Sequence, residues 1–274
     1  MQNETYNTGT YIQKILVTNP LSEPLIRSAV QVLKLPPGSN GLDAGCGIGL
    51  QVLLLAEAVG SSGHVTGLDL RPEFLNHARK IAEKHSLSDR ITFREGDINH
   101  LPFEDNSFDW VWSSNCAGYP AAEPLPLMSE LARVVRPGGI LSILIWSSQN
   151  LLPGYPLLEA RLNATSAGIA PFCREMRPAN HYLRALGWFR DAGLKESTVR
   201  PFTGSVHAPL SQEMRNALCA LIDMRWIEVR SELTEEDWKE YQRLCIPDSP
   251  DFILNLPDYY AFYTYSLFYG KVAY

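Results

Sequence analysis

Asp43-Ala44-Gly45-Cys46-Gly47-Ile48-Gly49 places glycines at alternate positions between a short apolar run, Gly41-Leu42-Asp43, and a helix-periodic stretch, Leu50 to Val59. Gly60 ends that helix as a C-terminal glycine does. A strand that turns through glycines into a helix lets a ligand lie against bare backbone, and the helix start presents unpaired N–H groups. Working outward, the same alternation repeats. His64 to Leu70 reads as a second strand and Pro72 as the first turn of a helix with Phe74, Ala78, Ile81 and Ala82 on its apolar face. Ile91 to Arg94 and Phe108 to Trp112 read as strands, Leu125 to Val135 as a helix closed by Arg136-Pro137-Gly138-Gly139, and Ile140 to Trp146 as the most apolar strand. Upstream, Leu25, Ile26, Ala29, Val32 and Leu33 share one helical face between Pro24 and the Pro36-Pro37-Gly38 breaker. Short apolar strands alternating with amphipathic helices predict βαβ units, a parallel sheet and an open doubly wound α/β fold.

The second half is less regular. Residues 149–180 hold four prolines and two glycines between apolar patches and read as an irregular cover. Tyr182 to Ala192 reads as a helix ended by Gly193, and Lys195 to Phe202 as a strand. Residues 211–245 read as two helices, the second opened by Thr234 with Asp237 in a capping-box arrangement. Phe262 to Val272 reads as a terminal strand whose aromatic residues are sheet core and edge.

Composition narrows the function. Hydrophobic residues make up 45% of the 274 and charged residues 20%, enough to bury a core. Twenty-four basic against thirty acidic residues give a net charge of −6, which argues against a phosphate-tracking nucleic-acid binder. No apolar run reaches the roughly 20 residues that span a bilayer. The polar start lacks a signal pattern, and five cysteines without CxxC spacing fit reduced thiols, so a cytoplasmic protein is expected.

Ligands of open α/β sheets bind beyond the carboxyl ends of the strands. Besides the glycine loop, three such ends carry polar groups. Asp69 stands 20 residues past Gly49, where an acid accepts both hydroxyls of a ribose; it reads alternatively as a cap ahead of Pro72. Gly96-Asp97-Ile98 offers a carboxylate to the exocyclic amine of adenine and an apolar side chain to its ring, or is a plain turn. Ser113-Ser114-Asn115 borders the other end of such a ligand. The loop spacing is GxGxG rather than the GxGxxG of nicotinamide and flavin sites, and an aspartate stands two residues before its first glycine.

In this combination the sequence resembles the class I S-adenosylmethionine-dependent methyltransferases, in the branch with ubiquinone- and menaquinone-biosynthesis-type and other small-molecule enzymes. Leu42 to Gly49 resembles the family's first motif, Asp69 its ribose acid, Gly96-Asp97-Ile98 its adenine-side motif, Phe108-Asp109 with Ser113 its fourth strand, and Leu131 to Gly139 the approach to its fifth. The resemblance implies a Rossmann-like, mostly parallel seven-stranded sheet. Its last strand, Phe262 to Val272, would run antiparallel between the fifth and sixth, with helices 211–245 as a cap inserted before it. It implies a single methyltransferase domain over 1–274, with a cofactor-binding core at 38–148 and substrate-cap insertions at 149–180 and 205–257. It implies S-adenosyl-L-methionine as cofactor, held by Asp43, Gly45, Cys46, Gly47, Asp69, Leu70, Gly96, Asp97, Ile98, Ser113, Ser114 and Asn115, and a small-molecule acceptor, with no metal.

Methyl transfer from a sulfonium needs donor and acceptor held in line and shielded from water; a base helps only if the acceptor must lose a proton. His181, His207 and Tyr119 are the candidate bases, and Tyr119, Trp146, Tyr155 and Tyr182 are candidate pocket aromatics. No Asn-Pro-Pro-Tyr run, the mark of amide or nucleobase methylation in related enzymes, is present. Cys116 and Cys173 raise an arsenite reading, although the cysteine patterns of such enzymes are missing; Cys46 belongs to the glycine loop, where the family commonly has cysteine. The alternatives are a nicotinamide-dependent oxidoreductase, disfavoured by the loop spacing and the lack of a Tyr-xxx-Lys pair, and a cofactor-binding protein without turnover.

Overall fold

The computed structural model describes residues 8–116, 124–173, 175–226 and 228–273. Seven strands form one sheet in the order β3-β2-β1-β4-β5-β7-β6: β1 (Asn40–Ala44), β2 (His64–Asp69), β3 (Ile91–Glu95), β4 (Phe108–Ser114), β5 (Val135–Asn150), β6 (Lys195–His207) and β7 (Tyr260–Lys271). The first five are parallel, and β7 runs antiparallel between β5 and β6. Strand order reverses between β1 and β4, the two central strands, so a crevice opens at their carboxyl ends. Among the described residues, no helix is long and apolar enough to cross a membrane.

Described residues divide into two compact units. One takes in residues 26–116, 124–146, 175–202 and 265–273. Its strands are β1 to β4 with the adjoining parts of β5, β6 and β7. Its helices are the end of α1 (Thr8–Leu33), α2 (Leu50–Ala58), α3 (Pro72–Lys84) and α4 (Pro124–Arg133), together with the later α7 (Ala185–Asp191). Leu42, Leu68, Val111, Leu131, Leu141, Ile143 and Phe189 form its core with near-zero exposure. α3 begins on Pro72 at its first turn and buries Phe74, Leu75, Ala78 and Ala82, the four-residue spacing that puts one stripe on the sheet. Gly41 of β1 stands opposite Trp110 of β4, and a β-carbon there would lie 2.0 Å from the indole. Only glycine admits that ring, whose Nε1 donates to Ser39 Oγ at 2.9 Å.

The other unit takes in residues 8–25, 147–173, 203–226 and 228–264. It holds α5 (Pro156–Asn163), α6 (Ser166–Ile169), α8 (Gln212–Arg225) and α9 (Glu235–Cys245). Ser211 caps α8 by accepting from the Met214 N–H, and Thr234 caps α9 by accepting from Asp237. Asp237 reciprocates by accepting from the Thr234 hydroxyl at 2.9 Å. Asn163 Oδ1 accepts from both Gln149 and Trp226 Nε1, and buried Glu159 accepts from the N–H groups of Leu151 and Leu152 at 2.7 and 3.0 Å.

Four sequence expectations need correction. α1 starts at Thr8, not after Pro24, and runs through Pro20 and Pro24. The hydroxyls of Thr18 and Ser22 donate to nearby carbonyls, bonding oxygens in a stretch where the two prolines donate none. Residues 149–180 are not an irregular cover but contain α5, begun by Pro156 at its first turn, and α6. The segment from Tyr182 starts as a 3-10 turn and becomes α7 only at Ala185. Finally, α4 stops at Arg133 and β5 starts at Val135, so Arg136 to Gly139 belong to the strand rather than to a closing turn. Pairing jumps from Phe108↔Val135 to Trp110↔Ile140, a bulge that Gly138 permits at φ +79° and Gly139 permits by close approach to the Asp109 carbonyl.

Candidate functional site

The crevice between β1 and β4 is built from three strand ends within the first unit. β1 ends at Ala44 and the chain turns through Gly45 (φ +83°), Gly47 (φ +54°) and Gly49 (φ +82°) into α2. The amides of Gly45 and Cys46 donate to the Leu68 carbonyl at 2.8 and 2.9 Å, which pins the loop to the end of β2. The glycines differ in purpose. A β-carbon on Gly45 would strike Cys116 Sγ at 2.2 Å, and one on Gly49 would strike Ala78 of α3 at 2.7 Å. One on Gly47 would meet no atom within 4 Å, so that face of the loop is an open cradle. Gly49 gives α2 no capping side chain, and its first-turn amides keep their donor capacity.

Asp69 braces this cradle. Its Oδ2 accepts from the Gly47 N–H and its Oδ1 from the Arg71 N–H, both at 2.9 Å. Each oxygen keeps a second lone pair, so the half-buried carboxylate can accept two further donors. Leu70 beside it is 64% exposed, an apolar surface next to that acid. Asp43 is different. It is 1% exposed, and its Oδ2 has no hydrogen-bond partner among the described residues. Burial, reinforced by the charge of Asp69, raises its pKa to about 8.

At the end of β4, Ser113 donates to the Ala44 carbonyl at 2.8 Å, and the buried Ser114 hydroxyl has no partner among the described residues. Asn115, at φ +51°, accepts from the Trp146 N–H at 2.8 Å and ties β4 to β5. Asp97 Oδ1 accepts from the backbone and side-chain nitrogens of Asn99, at 2.9 and 2.8 Å, while Ile98 packs into the core. Gly96 holds the turn where a β-carbon would press on Leu68 and Pro102.

The structure therefore gathers Asp43, Gly45, Cys46, Gly47, Asp69 and Ser113 to Asn115 around one crevice. Sequence reasoning missed the placement of Cys116. It lies against Gly45 with Sγ 3.3 Å from the Ser114 carbonyl, so a β-carbon at position 45 would overlap the sulfur as well as strain the left-handed backbone. Burial pushes the Cys116 thiol up to about 12 and Cys46 up as well, so both are neutral thiols. Cys173 is exposed. Among the described residues, no group of three His, Cys, Asp or Glu side chains is arranged to hold a metal.

The candidate bases are less favoured. His181 Nδ1 accepts from the Leu183 N–H, its ring stacks on Tyr182 at 4.3 Å, and burial lowers its pKa, a neutral capping imidazole. His207 is exposed in the other unit with Nδ1 against the Ala208 carbonyl. Tyr119 lies outside the described residues. Tyr155 is bonded and stacked by Arg243, and Trp146 packs edge-on against Tyr265 at 5.2 Å.

One consequence can be checked at this loop. Gly47→Ala meets open space, so it should cost only the left-handed backbone penalty of about 1–2 kcal/mol. Its methyl group would project into the cradle, and affinity for a ligand seated there should fall tenfold or more. Thermal unfolding and ligand titration on the same variant separate the two effects; a loss of stability with unchanged affinity would mean that the open face binds nothing.

A second consequence concerns pH. Asp43 titrates near 8 when folded and near 4 when unfolded, so between these values the folded state binds a proton that the unfolded state does not. Its contribution to stability is therefore lost as pH rises from about 4 to 8, by up to about 1.4 kcal/mol per unit, opposite to a salt-bridged carboxylate. In urea unfolding, the ligand-free Asp43→Asn variant should lose less stability than wild type between pH 5 and 9. Parallel curves would contradict the buried, unpaired state of Asp43.

A methyltransferase-domain family profile matches residues 42–139. A demethylmenaquinone methyltransferase from Bacillus licheniformis is 32% identical over 197 residues, covering 65% of this chain and 80% of that protein. An arsenite methyltransferase from Halobacterium salinarum is 40% identical over 107 residues, 39% of this chain and 27% of that protein. A geranyl diphosphate methyltransferase solved with SAM superposes with a TM-score of 0.55 at 18% identity, over 99% of this chain and 93% of that one, a likeness of fold. Nothing in these matches favours hydride transfer or binding without turnover. With this strand order and these matches, the chain belongs to the class I S-adenosylmethionine-dependent methyltransferases of the menaquinone- and ubiquinone-type branch.

Proposed function

We propose that the β1/β4 crevice holds S-adenosylmethionine and that the chain methylates a small-molecule acceptor by in-line transfer. The observation that carries this reading is the open face of Gly47 beside two carboxylates, one of them buried with an oxygen unpartnered. A buried carboxyl group without a partner stays protonated unless a cation completes its ionised form. Asp69 would accept the ribose hydroxyls and Leu70 would cover the adenine, with Asp97 and Gly96 at its edge. The backbone of Gly45 to Gly47 would take the methionine portion, Asp43 would balance its positive charge, and Ser113 to Asn115 would border the methyl end.

The bound donor supplies a methyl group on a cationic sulfur whose leaving group is a neutral thioether. What the chain contributes is orientation and exclusion of water. The fixed loop, pinned at Leu68 and Asp69, holds one reactant without reorganisation. Residues 149–180 and 205–257 are the departures from the shared core, and we assign acceptor recognition to them. The net charge of −6 supports a small-molecule acceptor rather than a nucleic acid, and a cytoplasmic setting fits the unpaired cysteines.

The test is product release from methyl-labelled donor with a panel of quinols, phenols, thiols, amines and activated carbons, run beside RNA and DNA. Label transfer to at least one small-molecule class is expected; transfer confined to nucleic acid would overturn the assignment of substrate class.

A further inference from the structure

The connection from β3 to β4, residues 96–107, contains no helix, so its shape depends on what it bonds elsewhere. Arg133, the last residue of α4, is where it is tied. Its Nε donates to Glu130 Oε2 at 2.9 Å, and its Nη1 donates to the Phe103 carbonyl and to Asp105 Oδ1, both at 2.8 Å. Its Nη2 donates to the Leu101 carbonyl at 3.1 Å and to Glu130 Oε1 at 2.8 Å. Every N–H of the guanidinium fork is thus matched to an acceptor, a geometry that a lysine cannot reproduce. Glu130 Oε1 also accepts from the Leu101 N–H at 2.6 Å, and the Arg133 carbonyl accepts from the Asn106 N–H at 3.0 Å. Both backbone polar groups of Leu101 are therefore held from the last turn of α4.

The held positions directly follow the turn that carries Asp97 and Ile98. At the start of that turn the Gly96 N–H donates to the Asp69 carbonyl at 3.1 Å, and inside it the His100 N–H donates to the Asp97 carbonyl at 3.1 Å. Residues 97–100 are thus fixed on both sides, by the backbone of the ribose-side acid and by α4. Asn99 donates twice to Asp97 Oδ1, which leaves Oδ2 for another donor. An acceptor carried on a turn fixed in advance spares its ligand the cost of ordering a free loop. We infer that Arg133, together with Glu130, is a positioning pair for adenine recognition, holding Asp97 where the exocyclic amine of the cofactor is read. The pair acts through the loop and not by contact with the ligand. This inference rests on the cofactor site proposed above.

Calorimetric titration with two probes measures it: S-adenosylhomocysteine, and its analogue lacking only the exocyclic amine of the purine. The wild-type chain should bind the parent about tenfold or more tightly than the analogue, the worth of one hydrogen bond to a charged group. In Arg133→Gln the parent should weaken about tenfold and the analogue much less, so that the ratio of the two falls toward one. In an Asp97→Ala background, adding Arg133→Gln should leave the ratio where it is. A pair that only braced the fold would shift Tm and leave the discrimination intact. An undiminished ratio in folded Arg133→Gln would overturn the positioning role while leaving the cofactor site standing. Equal affinities in wild type would overturn the contact with the amine and the positioning role with it, and binding of neither probe would overturn the site itself. If Arg133→Gln does not fold, Glu130→Gln makes the same comparison, since it keeps an acceptor for the Leu101 amide and loses the charge facing the guanidinium. Its ratio should fall part of the way, and an undiminished ratio there overturns the role equally.

Discussion

Asp69→Ala should raise the dissociation constant for S-adenosylmethionine at least tenfold, and by a hundredfold or more if both ribose hydroxyls lose their acceptor. A hydrogen bond to a charged group is worth about 1.5–3 kcal/mol, and each 1.4 kcal/mol is a factor of ten in affinity. The loss has a second source in the loop. Asp69 is the acceptor for the Gly47 amide, so its removal also loosens the cradle proposed to carry the ligand. The Leu68 carbonyl still holds Gly45 and Cys46, and the core beneath is untouched, so the variant should fold with a Tm within a few degrees of wild type. Asp69→Asn keeps one acceptor oxygen without the charge and should fall between the two. Equal affinity in a folded Asp69→Ala variant would remove the acid from the ribose and return it to a turn-bracing role.

Trp110→Ala should destabilise the fold by about 3–5 kcal/mol, the usual cost of emptying a large core aromatic site. The ring is 1% exposed and fills the space that the missing β-carbon of Gly41 leaves on the adjacent strand. Removal also strands the buried Ser39 hydroxyl. Against a typical total of about 5–15 kcal/mol, that is a substantial share of stability. The pair makes a sharper statement. Gly41→Ala alone should be destabilising through overlap with the indole, yet in the Trp110→Ala background it should cost little, giving a large coupling energy in a double-mutant cycle. Chemical denaturation reads both; a cost below about 1 kcal/mol for Trp110→Ala, or strict additivity, would contradict this packing.

Sequence patterns disclose local features well and long-range pairings poorly, and the residues here show why. The glycine loop and the Thr234–Asp237 cap are each defined within a few positions, and Asp69 ends a strand 20 residues past Gly49, so spacing alone located them. Placing β7 between β5 and β6 depended on family resemblance, because no local signal orders strands separated by helices. The prolines of α1 gave the wrong start because proline is read as a breaker, while the neighbouring hydroxyls that bond the chain's carbonyls are visible only in three dimensions. Arg136 to Gly139 looked like a turn because proline and glycine dominate it; the structure uses the same residues for a bulge, with Gly139 passing close to the Asp109 carbonyl. Within the site, no pattern could show that Asp43 Oδ2 lacks a partner or that Cys116 abuts Gly45. Both depend on what 70 residues of intervening chain bring to the same place.

The most direct measurement is a crystal structure of the chain grown with S-adenosylmethionine. The ligand should lie across the β1/β4 crevice, with ribose hydroxyls on Asp69, the methionine portion over Gly47, and Asp43 beside its cationic part. Density for the ligand elsewhere, or an empty crevice with Asp69 bonded only to the amides of Gly47 and Arg71 at saturating ligand, would contradict the assignment.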